Sequence, residues 1–260
     1  PMVIFTGQVS TPLIGNDAFQ EVDIIGITRP CTKHNFLVKD VKDLAETVRK
    51  AFYLARSGRP GPVLVDIPKN IQQASCEFVW PEDVVMRSYC PTFRANLNQL
   101  RRAMDVLVTS RKPLIVAGGG VIMANAAEEL CTLAHLMHAP VCSTLMGLGA
   151  FPGDDPLWIG MLGMHGTFAA NRAVTQADVI LAVGARFDDR VTGKLSQFAP
   201  NARIVHIDID PTTLRKNVRV EVPVVSDALS ALQGLRSILE SGHAQKDWAG
   251  DHADWMGQVL

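Results

Sequence analysis

The chain has few aromatic residues and lacks an uninterrupted hydrophobic run of membrane-spanning length. Phe, Trp and Tyr make up 6% of its 260 residues. The longest apolar stretch, residues 114–124, is interrupted by three glycines, whereas a transmembrane helix needs about 20 consecutive apolar residues. The sequence also shows no secretory signal peptide. These absences predict a protein without a membrane anchor.

The chain also lacks an excess of charge of either sign. Lys and Arg number 25, Asp and Glu number 26, and the formal net charge is -1. The basic residues are scattered, so the electrostatic footprint of a nucleic-acid-binding protein is missing. Charged residues make up 20% of the chain and apolar residues 47%, which predicts folded cores rather than disorder. The length allows one to two domains.

Cysteine is too sparse and too dispersed for a disulfide framework. The five cysteines are far apart, and no pair of them has zinc-like spacing. We expect reduced thiols and a cytoplasm-like compartment: the cytoplasm of a bacterium, or an organelle if the source is eukaryotic. The cysteines are Cys31, Cys76, Cys90, Cys131 and Cys142.

The most informative stretch is residues 178–193. Residues 179–183 are apolar and rich in β-branched side chains, which predicts a buried strand of a parallel sheet. The strand runs into Gly184 and then into the charges of residues 186–190. Open α/β sheets bind ligands at such strand ends. The charges could instead form structural ion pairs, but other strand ends carry similar residues, so we favour a nucleotide-type cofactor.

Residues 96–242 alternate between helix and strand patterns. Helices are predicted near residues 97–108, 124–138, 168–176 and 227–239, and strands at 114–117, 141–142, 179–183, 202–207 and 222–225. This β-α-β order predicts an α/β fold with a parallel, Rossmann-like sheet and right-handed crossovers. Residues 243–260 are interpreted as a tail or a linker to a further domain.

The sequence pattern of residues 1–75 predicts that they form part of another α/β domain. The patterns indicate strands at residues 1–6 and 63–66, and a helix that begins at Asp40 or Asp43 and ends near Ser57. Residues 76–95 have weak periodicity and are interpreted as a linker. Because the chain opens in an apolar run typical of mid-strand, we expect it to be a piece of a longer polypeptide.

A glycine triplet, Gly118 to Gly120, follows the predicted strand 114–117. Glycine allows the backbone to approach a phosphate closely, and a following helix start favours the anion. The pattern is not the dinucleotide fingerprint, because Met123 occupies the place of its third glycine. No acidic residue ends a strand roughly 20 residues later either. An ordinary NAD-dependent dehydrogenase is therefore disfavoured.

Residues 144–167 predict a long loop rich in glycine and methionine. Loops of this length inside a compact domain are usually functional. Met161, Leu162, Met164 and His165 could wrap a flat aromatic ligand, since methionine adapts its shape. Alternatively, the methionines fill a gap in the core and His165 caps the next helix.

Two further residues have both a structural and a functional interpretation. Arg59 lies in a tight connection, where it could form a salt bridge or present its planar fork of donors to a phosphate. Asp208 ends a predicted strand and could accept hydrogen bonds from ribose hydroxyls. The alternative interpretation of Asp208 is that it forms a metal site with Asp210, but no further cluster of carboxylates or histidines supports such a site.

These landmarks together resemble the catalytic (large) subunits of the acetohydroxyacid synthases, also called acetolactate synthases. The resemblance covers nearly the whole chain. The matching runs are residues 7–9, 14–21, 32–34, 57–69 (SGRPGPVLVDIPK), 117–121, 145–151, 161–167 (MLGMHGT), 184–193 (GARFDDRVTG) and 206–211 (HIDIDP).

The resemblance implies a thiamine-diphosphate enzyme of three domains. The first domain would bind the thiamine pyrimidine, the central one FAD, and the last the diphosphate through Mg²⁺. Residues 1–75 would belong to the first domain and residues 96–242 would form the central one. The glutamate that activates the pyrimidine and the metal-binding motif would lie outside this chain, so we expect the isolated chain to be inactive.

The resemblance also implies two sets of site residues. The predicted FAD-binding residues are Arg59, Gly118, Gly119, Gly120, Thr144, Leu145, Met146, Met164, His165, Gly166, Gly184, Ala185, Arg186, Asp188, Arg190, Asp208, Ile209 and Asp227. The residues predicted to line the channel to the thiamine are Gln8, Phe19, Gln20, Lys33 and Lys69. No metal ligand is predicted within the chain.

The implied reaction is decarboxylation of pyruvate and its condensation with a second pyruvate or 2-oxobutyrate, in branched-chain amino-acid biosynthesis. FAD would be largely structural. A homodimer and a small regulatory subunit are the implied partners. The rivals are a sister thiamine enzyme, such as glyoxylate carboligase or a flavin-dependent pyruvate oxidase, and a stand-alone FAD-binding module.

Overall fold

The computed structural model describes residues 1–242 and 246–259 and divides into two compact units, Pro1–Pro91 and Thr92–Leu260. Both units are α/β structures built on parallel sheets. The α/β class and the parallel sheets predicted from the sequence are confirmed.

The first unit contains a parallel sheet with strand order β1-β3-β2. Its core lies where helix α2 covers the central strand, because α2 buries Ala51, Leu54 and Ala55 on one face. The elements are β1 (Met2–Gln8), α1 (Ile24–Thr28), β2 (His34–Leu37), α2 (Leu44–Arg56), β3 (Pro62–Pro68) and α3 (Lys69–Gln73).

Strand β2 and helices α1 and α3 were missed in the sequence. Strand β2 has four residues and lies at the sheet edge, where its side chains are exposed or only half-buried. It therefore carries no apolar alternation to detect. Strand β3 extends to Pro68, two residues beyond the prediction, and Pro68 pairs in register with Gln8. Residues 74–91 contain no helix or strand.

The second unit is built on a parallel sheet with strand order β6-β5-β4-β7-β8-β9. The elements are α4 (Leu97–Val108), β4 (Pro113–Ala117), α5 (Gly119–Met123), α6 (Ala127–Met137), β5 (Val141–Ser143), β6 (Trp158–Met161), α7 (Phe168–Gln176), β7 (Val179–Val183), α8 (Asp189–Thr192), β8 (Arg203–Asp208), β9 (Val222–Val225), α9 (Ala228–Glu240) and α10 (Trp248–Val259).

Both faces of this sheet are buried, as expected for parallel strands covered by helices. Ile115, Leu181 and Val205 belong to one core, which side chains of α4, α6 and α9 complete. Leu114 and Ile180 belong to the opposite core, which is completed by α7 and α10. The alternation of neighbouring strand residues between the two cores follows from the period of two along a strand.

The short helices α5 and α8 were not predicted, and three further parts of the second unit differ from the prediction. The loop over residues 144–167 contains an edge strand, β6, whose short apolar run is hidden among glycines. The predicted helix 124–138 begins only at Ala127, because Asn125 takes a left-handed conformation with φ 52°. Residues 248–259, interpreted as tail or linker, form α10, which buries Trp255 in the core.

None of the helices in residues 1–242 and 246–259 is both long enough and apolar enough to cross a membrane.

Candidate functional site

The connection order of the second sheet places a crevice between β4 and β7. The chain runs outward from β4 to β5 and β6 on one side, then crosses to β7 and continues to β8 and β9. This is the order of a doubly wound dinucleotide fold, in which ligands bind outside the carboxyl ends of the strands where the direction reverses. The turns that follow β4 and β7 therefore frame the candidate site.

Those two turns pack against each other through backbone alone. The Gly118 amide donates to the Val183 carbonyl at 2.9 Å, and the Gly120 amide donates to the Gly184 carbonyl at 3.1 Å. A Cβ added at Gly118 would lie 2.1 Å from the Gly184 oxygen, and one at Gly120 would lie 2.6 Å from the Gly184 Cα. Close packing of the turns thus explains Gly118 and Gly120 without any ligand.

A buried histidine fixes the start of the second turn. His206 on β8 is fully buried, and its Nε2 lies 2.7 Å from the Ala185 carbonyl oxygen, to which it donates. Burial lowers the pKa of His206 to about 4, although the bond to Ala185 opposes this shift. The imidazole is consequently neutral at pH 7. Its ring centroid lies 5.1 Å from that of Phe187 in an edge-on contact.

The charges at the end of β7 form the ion pair that the sequence left as an alternative. Arg186 Nη2 lies 3.0 Å from Asp188 Oδ2, while Asp188 Oδ1 accepts from the Val191 amide at 3.2 Å. Asp188 is therefore the N-cap of α8. The Arg186 side chain remains 60% exposed, so one side of its guanidinium still faces solvent.

Three apolar side chains at this edge are open to solvent. Leu145 and Met146 are each 69% exposed and Met164 is 62% exposed. The Met164 amide donates to the Arg190 carbonyl at 2.9 Å, which ties its turn to the loop after β7. The alternative that Met164 fills a core gap is wrong, because the core excludes it. Exposed apolar side chains of this kind are typical of ligand or partner surfaces.

His165 does not cap helix α7, as the sequence had suggested. The cap is Thr167, whose Oγ1 accepts from the Ala170 amide at 3.2 Å. His165 lies in the exposed turn before it. A hydroxyl at this position satisfies a free helix donor directly, so the imidazole is not needed for capping.

The acidic residues after β8 and β9 organise local backbone. Asp208 Oδ1 accepts from the Asp210 amide at 2.8 Å. Asp227 Oδ1 accepts from the Leu229 amide at 2.9 Å, which makes Asp227 the N-cap of α9. Within the described residues, Asp208 and Asp210 are not grouped with a further Cys, His or carboxylate ligand atom. A metal site there is unsupported.

The structure thus brings most of the predicted FAD-binding residues to one edge. Thr144 continues β5, where its amide donates to the Ala117 carbonyl at 2.9 Å. Gly166 lies so close to the end of β6 that an added Cβ would be 2.5 Å from the Met161 oxygen. Arg59 is separate, since it belongs to the first unit and lies in the connection that enters β3 at its amino end.

In the first unit, Gln8 and Lys69 lie at the carboxyl edge of the sheet. Gln8 ends β1, where its Nε2 donates to the Val22 carbonyl at 2.9 Å and to Asp66 Oδ2 at 3.3 Å. Lys69 begins α3 directly after β3 and is exposed. The parallel pairing of β1 with β3 places both residues at the same edge.

Phe19 and Gln20 occupy a loop that a carboxylate holds in shape. Glu21 accepts from the Gly15 amide and, at 3.0 Å, from the Ala18 amide. The bond from Gly15 and then that from Ala18 lower the pKa of Glu21. Phe19 is 89% exposed, so its ring is presented to solvent rather than buried.

Lys33 already has three oxygen partners. Its Nζ donates to the carbonyls of Leu54 and Ser57 at 2.7 Å each and to the Tyr89 hydroxyl at 2.8 Å. An ammonium group has three donors. Capping the carboxyl end of α2 therefore explains Lys33 without any substrate.

Sequence reasoning missed His206 and Asn217. Asn217 Nδ2 donates to the Phe187 carbonyl at 2.7 Å, so both residues hold the loop after β7 from outside it. A histidine inside an otherwise apolar strand was the available signal for His206. Nothing in the sequence distinguishes Asn217 from an exposed loop residue.

Residues 100–235, just over half of the chain, match the family model described as thiamine pyrophosphate enzyme, central domain. The chain belongs to the thiamine pyrophosphate enzyme family. The matched region begins in α4 and ends in α9, so it covers the whole doubly wound sheet.

Curated relatives within the family are acetolactate synthase large subunits. The chain is 48% identical over its full length to the acetolactate synthase isozyme 3 large subunit of Escherichia coli K12, of which it covers 45%. It is 46% identical to the acetolactate synthase large subunit of Buchnera aphidicola subsp. Schizaphis graminum, over 98% of this chain and 46% of that protein. The chain therefore spans slightly less than half the length of these relatives.

A third relative gives a similar match. The probable acetolactate synthase large subunit of Methanocaldococcus jannaschii is 50% identical over 92% of this chain and 41% of that protein.

Proposed function

We propose that this chain is part of the catalytic subunit of an acetolactate synthase. The proposed reaction condenses two pyruvates, or pyruvate and 2-oxobutyrate, with loss of CO2, in branched-chain amino-acid biosynthesis, and makes the protein a transferase. The observation that carries the proposal is identity of about half the residues, along essentially the whole chain, to acetolactate synthase large subunits.

We assign FAD to the carboxyl edge of the second sheet. The chemistry of that edge fits such a ligand: Leu145, Met146 and Met164 offer an apolar surface to a flat ring system. Arg186 and Arg190 offer exposed guanidinium groups to a diphosphate. When bound, FAD supplies a redox-active ring system that the net reaction does not use.

The remaining predicted residues take positioning roles in this proposal. The glycine turns and Ala185 form the floor of the FAD site, Asp188 orients Arg186, and Asp208 faces ribose hydroxyls. We further assign Gly119, Thr144, Gly166, His165, Ile209 and Asp227 to the border of the site. Arg59 remains a proposed phosphate-binding residue.

In the first unit, we assign Gln8, Phe19, Gln20 and Lys69 to the substrate channel. Gln8 would position the Val22 carbonyl and the Asp66 carboxylate, to which it donates. Phe19 would exclude water, and the ammonium of Lys69 would attract the 2-oxoacid carboxylate. Lys33 would act indirectly, by fixing the end of α2. Thiamine diphosphate and Mg²⁺ belong to the full protein, as do the proposed homodimer and small regulatory subunit, and no ligand of that Mg²⁺ is assigned to this chain.

Product analysis tests the reaction. The full-length protein is incubated with pyruvate, thiamine diphosphate, Mg²⁺ and FAD, with and without 2-oxobutyrate. Acetolactate, together with acetohydroxybutyrate in the mixed reaction, is the expected result. Acetyl phosphate in the presence of phosphate, or tartronate semialdehyde from glyoxylate, would assign the chain to a sister enzyme instead.

Flavin retention tests the cofactor site separately. Met146→Gln and Met164→Gln place a polar group of similar shape on the apolar surface, so we expect each variant to bind FAD several-fold more weakly by fluorescence quenching. Leu136→Gln alters a partly exposed apolar side chain on α6 and should leave FAD affinity unchanged. Equal FAD affinity in all variants would contradict the assignment of FAD to this edge.

A further inference from the structure

Three side chains of types that can ligate a metal ion meet on the second unit, away from the proposed cofactor edge. Cys131 and His135 lie four residues apart on α6, and Asp155 lies in the connection that enters β6 at its amino end. One ligand atom from each residue lies within 4.8 Å of the other two. Among residues 1–242 and 246–259, this is the one such group of three.

Helix geometry brings two of these residues together. Positions i and i+4 lie on the same face of an α-helix, one turn apart. His135 Nε2 lies 2.7 Å from Asp155 Oδ2, and the His135 side chain is 51% exposed. The cluster therefore has a route for an ion to enter from solvent.

The backbone of the β6 connection holds the Asp155 carboxylate in place. Asp155 Oδ1 accepts from the Leu157 amide at 2.8 Å, which leaves Oδ2 directed at His135. The Asp155 side chain is only 12% exposed. A ligand oxygen oriented by a hydrogen bond to its partner oxygen is the usual outer-shell support of a protein metal site.

We propose that Cys131, His135 and Asp155 bind a zinc-class divalent ion through Sγ, Nε2 and Oδ2. Zinc distances of about 2.3 Å to sulfur, 2.0–2.1 Å to nitrogen and 2.0–2.2 Å to oxygen place tetrahedral ligand atoms about 3.3–3.7 Å apart. The present His135–Asp155 separation of 2.7 Å has to widen by about 0.6–0.8 Å, which the exposed imidazole allows by rotation.

The donor set selects among metals. Thiolate and imidazole favour zinc-like ions, whereas Mg²⁺ and Ca²⁺ prefer oxygen ligands. On binding, the Cys131 thiol releases its proton to solvent as the metal–sulfur bond forms. His135 gives up the Nε2 proton that it donates to Asp155 and takes the tautomer protonated at Nδ1, so that its Nε2 lone pair binds the ion. No residue changes oxidation state. Three protein ligands leave a fourth position for water or a small anion.

Cobalt titration tests the site. Co²⁺ is added to the purified full-length protein in excess Mg²⁺ with a phosphine reductant, and absorbance is followed. We expect a sulfur-to-cobalt charge-transfer band that saturates at one equivalent and disappears on addition of Zn²⁺. The absence of a saturable band would overturn the proposal.

Variants identify the ligands. Cys131→Ser should abolish the band, and Asp155→Asn and the exposed His135→Gln should weaken binding at least about 10-fold. Cys90→Ser, which alters an exposed cysteine of the first unit, should behave as the parent protein. Circular dichroism confirms that each variant is folded. A band that survives in Cys131→Ser, or is lost in Cys90→Ser, would refute the assignment.

Discussion

At the scale of single residues, the close approach of two backbone turns decides which side chains the edge of the second sheet tolerates. Gly118 and Gly120 face Gly184 with no room for a methyl group between them. The crevice between β4 and β7 therefore depends on the absence of a side chain at these glycines as well as on the side chains of their neighbours.

Replacement of Gly118 by Ala should destabilise the second unit by about 1–3 kcal/mol, since its Cβ would meet backbone that cannot move aside cheaply. Urea denaturation followed by far-UV circular dichroism measures the change. Gly153→Ala is the matched control, because its Cβ would meet only the Trp158 ring at 3.8 Å, an ordinary contact. Equal stability of the two variants would contradict the packing argument.

His206 should make folding stability depend on pH. Its folded pKa of about 4 lies below its ordinary value of 6.5, so between these values the unfolded chain binds a proton that the folded chain does not. Stability is therefore complete above about pH 6.5 and falls on acidification toward pH 4, by at most about 1.4 kcal/mol per pH unit.

His206→Gln isolates this effect, because the amide can still donate to Ala185 but does not titrate. The free energy of unfolding of flavin-free wild type, measured from pH 7 to 4.5, should fall more steeply than that of the variant. Buried His252, whose pKa burial also lowers, contributes equally to both proteins and cancels. His165→Gln, in an exposed turn, should parallel the wild type. Parallel curves for His206→Gln would refute the assignment.

At the scale of elements, helix α10 completes one core of the second unit. Trp255 is 1% exposed, and its Nε1 donates to the Pro113 carbonyl at 2.8 Å, where β4 begins. The helix thus covers the amino end of the sheet, opposite the candidate cofactor edge. A segment interpreted as a tail is part of the structure that holds the sheet together.

Trp255→Ala should cost the second unit about 3–5 kcal/mol, because it removes a large buried side chain and leaves the Pro113 carbonyl without this donor. Gln258→Ala, on the exposed face of the same helix, should change stability by less than about 0.5 kcal/mol. Urea denaturation followed by circular dichroism compares them without relying on tryptophan fluorescence. A Trp255 variant as stable as the Gln258 variant would show that α10 is dispensable.

At the scale of the whole molecule, the two units are joined through residues 74–91, which contain no helix or strand. Arg87 is exposed and is the one trypsin site in that segment. Proteases cut native proteins preferentially in exposed segments without secondary structure.

Brief trypsin treatment of the native chain should therefore cut first after Arg87. Mass spectrometry identifies the products, which should correspond to residues 1–87 and to the remainder. Arg87→Gln should remove this early cut and leave later cuts unchanged. Earlier cleavage within β3 or α4 would contradict the division into two units.

Much of the fold was predictable because the second unit repeats a strong local pattern. Strands β4, β7 and β8 are apolar runs that end in glycine or aspartate, and their order implied a parallel sheet with a ligand edge. Strand β6 and helix α10 were not predictable, since neither has a distinctive local period. Strand β6 is held by pairing with β5, and helix α10 by the hydrogen bond from Trp255 to Pro113. Neither contact lies within the local segment that it stabilises.

The candidate site was likewise predictable from the sequence only in part. Gly184, Arg186 and Asp188 were found from sequence because glycine and alternating charge directly after a buried strand are a local signal. The dependence of that loop on His206 and Asn217 was not visible, nor was the cluster that adds Asp155 to Cys131 and His135. Those contacts join residues 20 or more positions apart.

The amino-acid sequence by itself determined the α/β class, the parallel sheets, the chemistry of the strand ends and the membership of the thiamine pyrophosphate enzyme family. These properties follow from the order of residues along short segments. Only the tertiary structure decided that Gly118 and Gly120 serve turn packing, that Lys33 caps α2 and that Cys131, His135 and Asp155 lie together. The reason is physical: close packing and shared hydrogen bonds depend on distance in space, which local sequence does not specify.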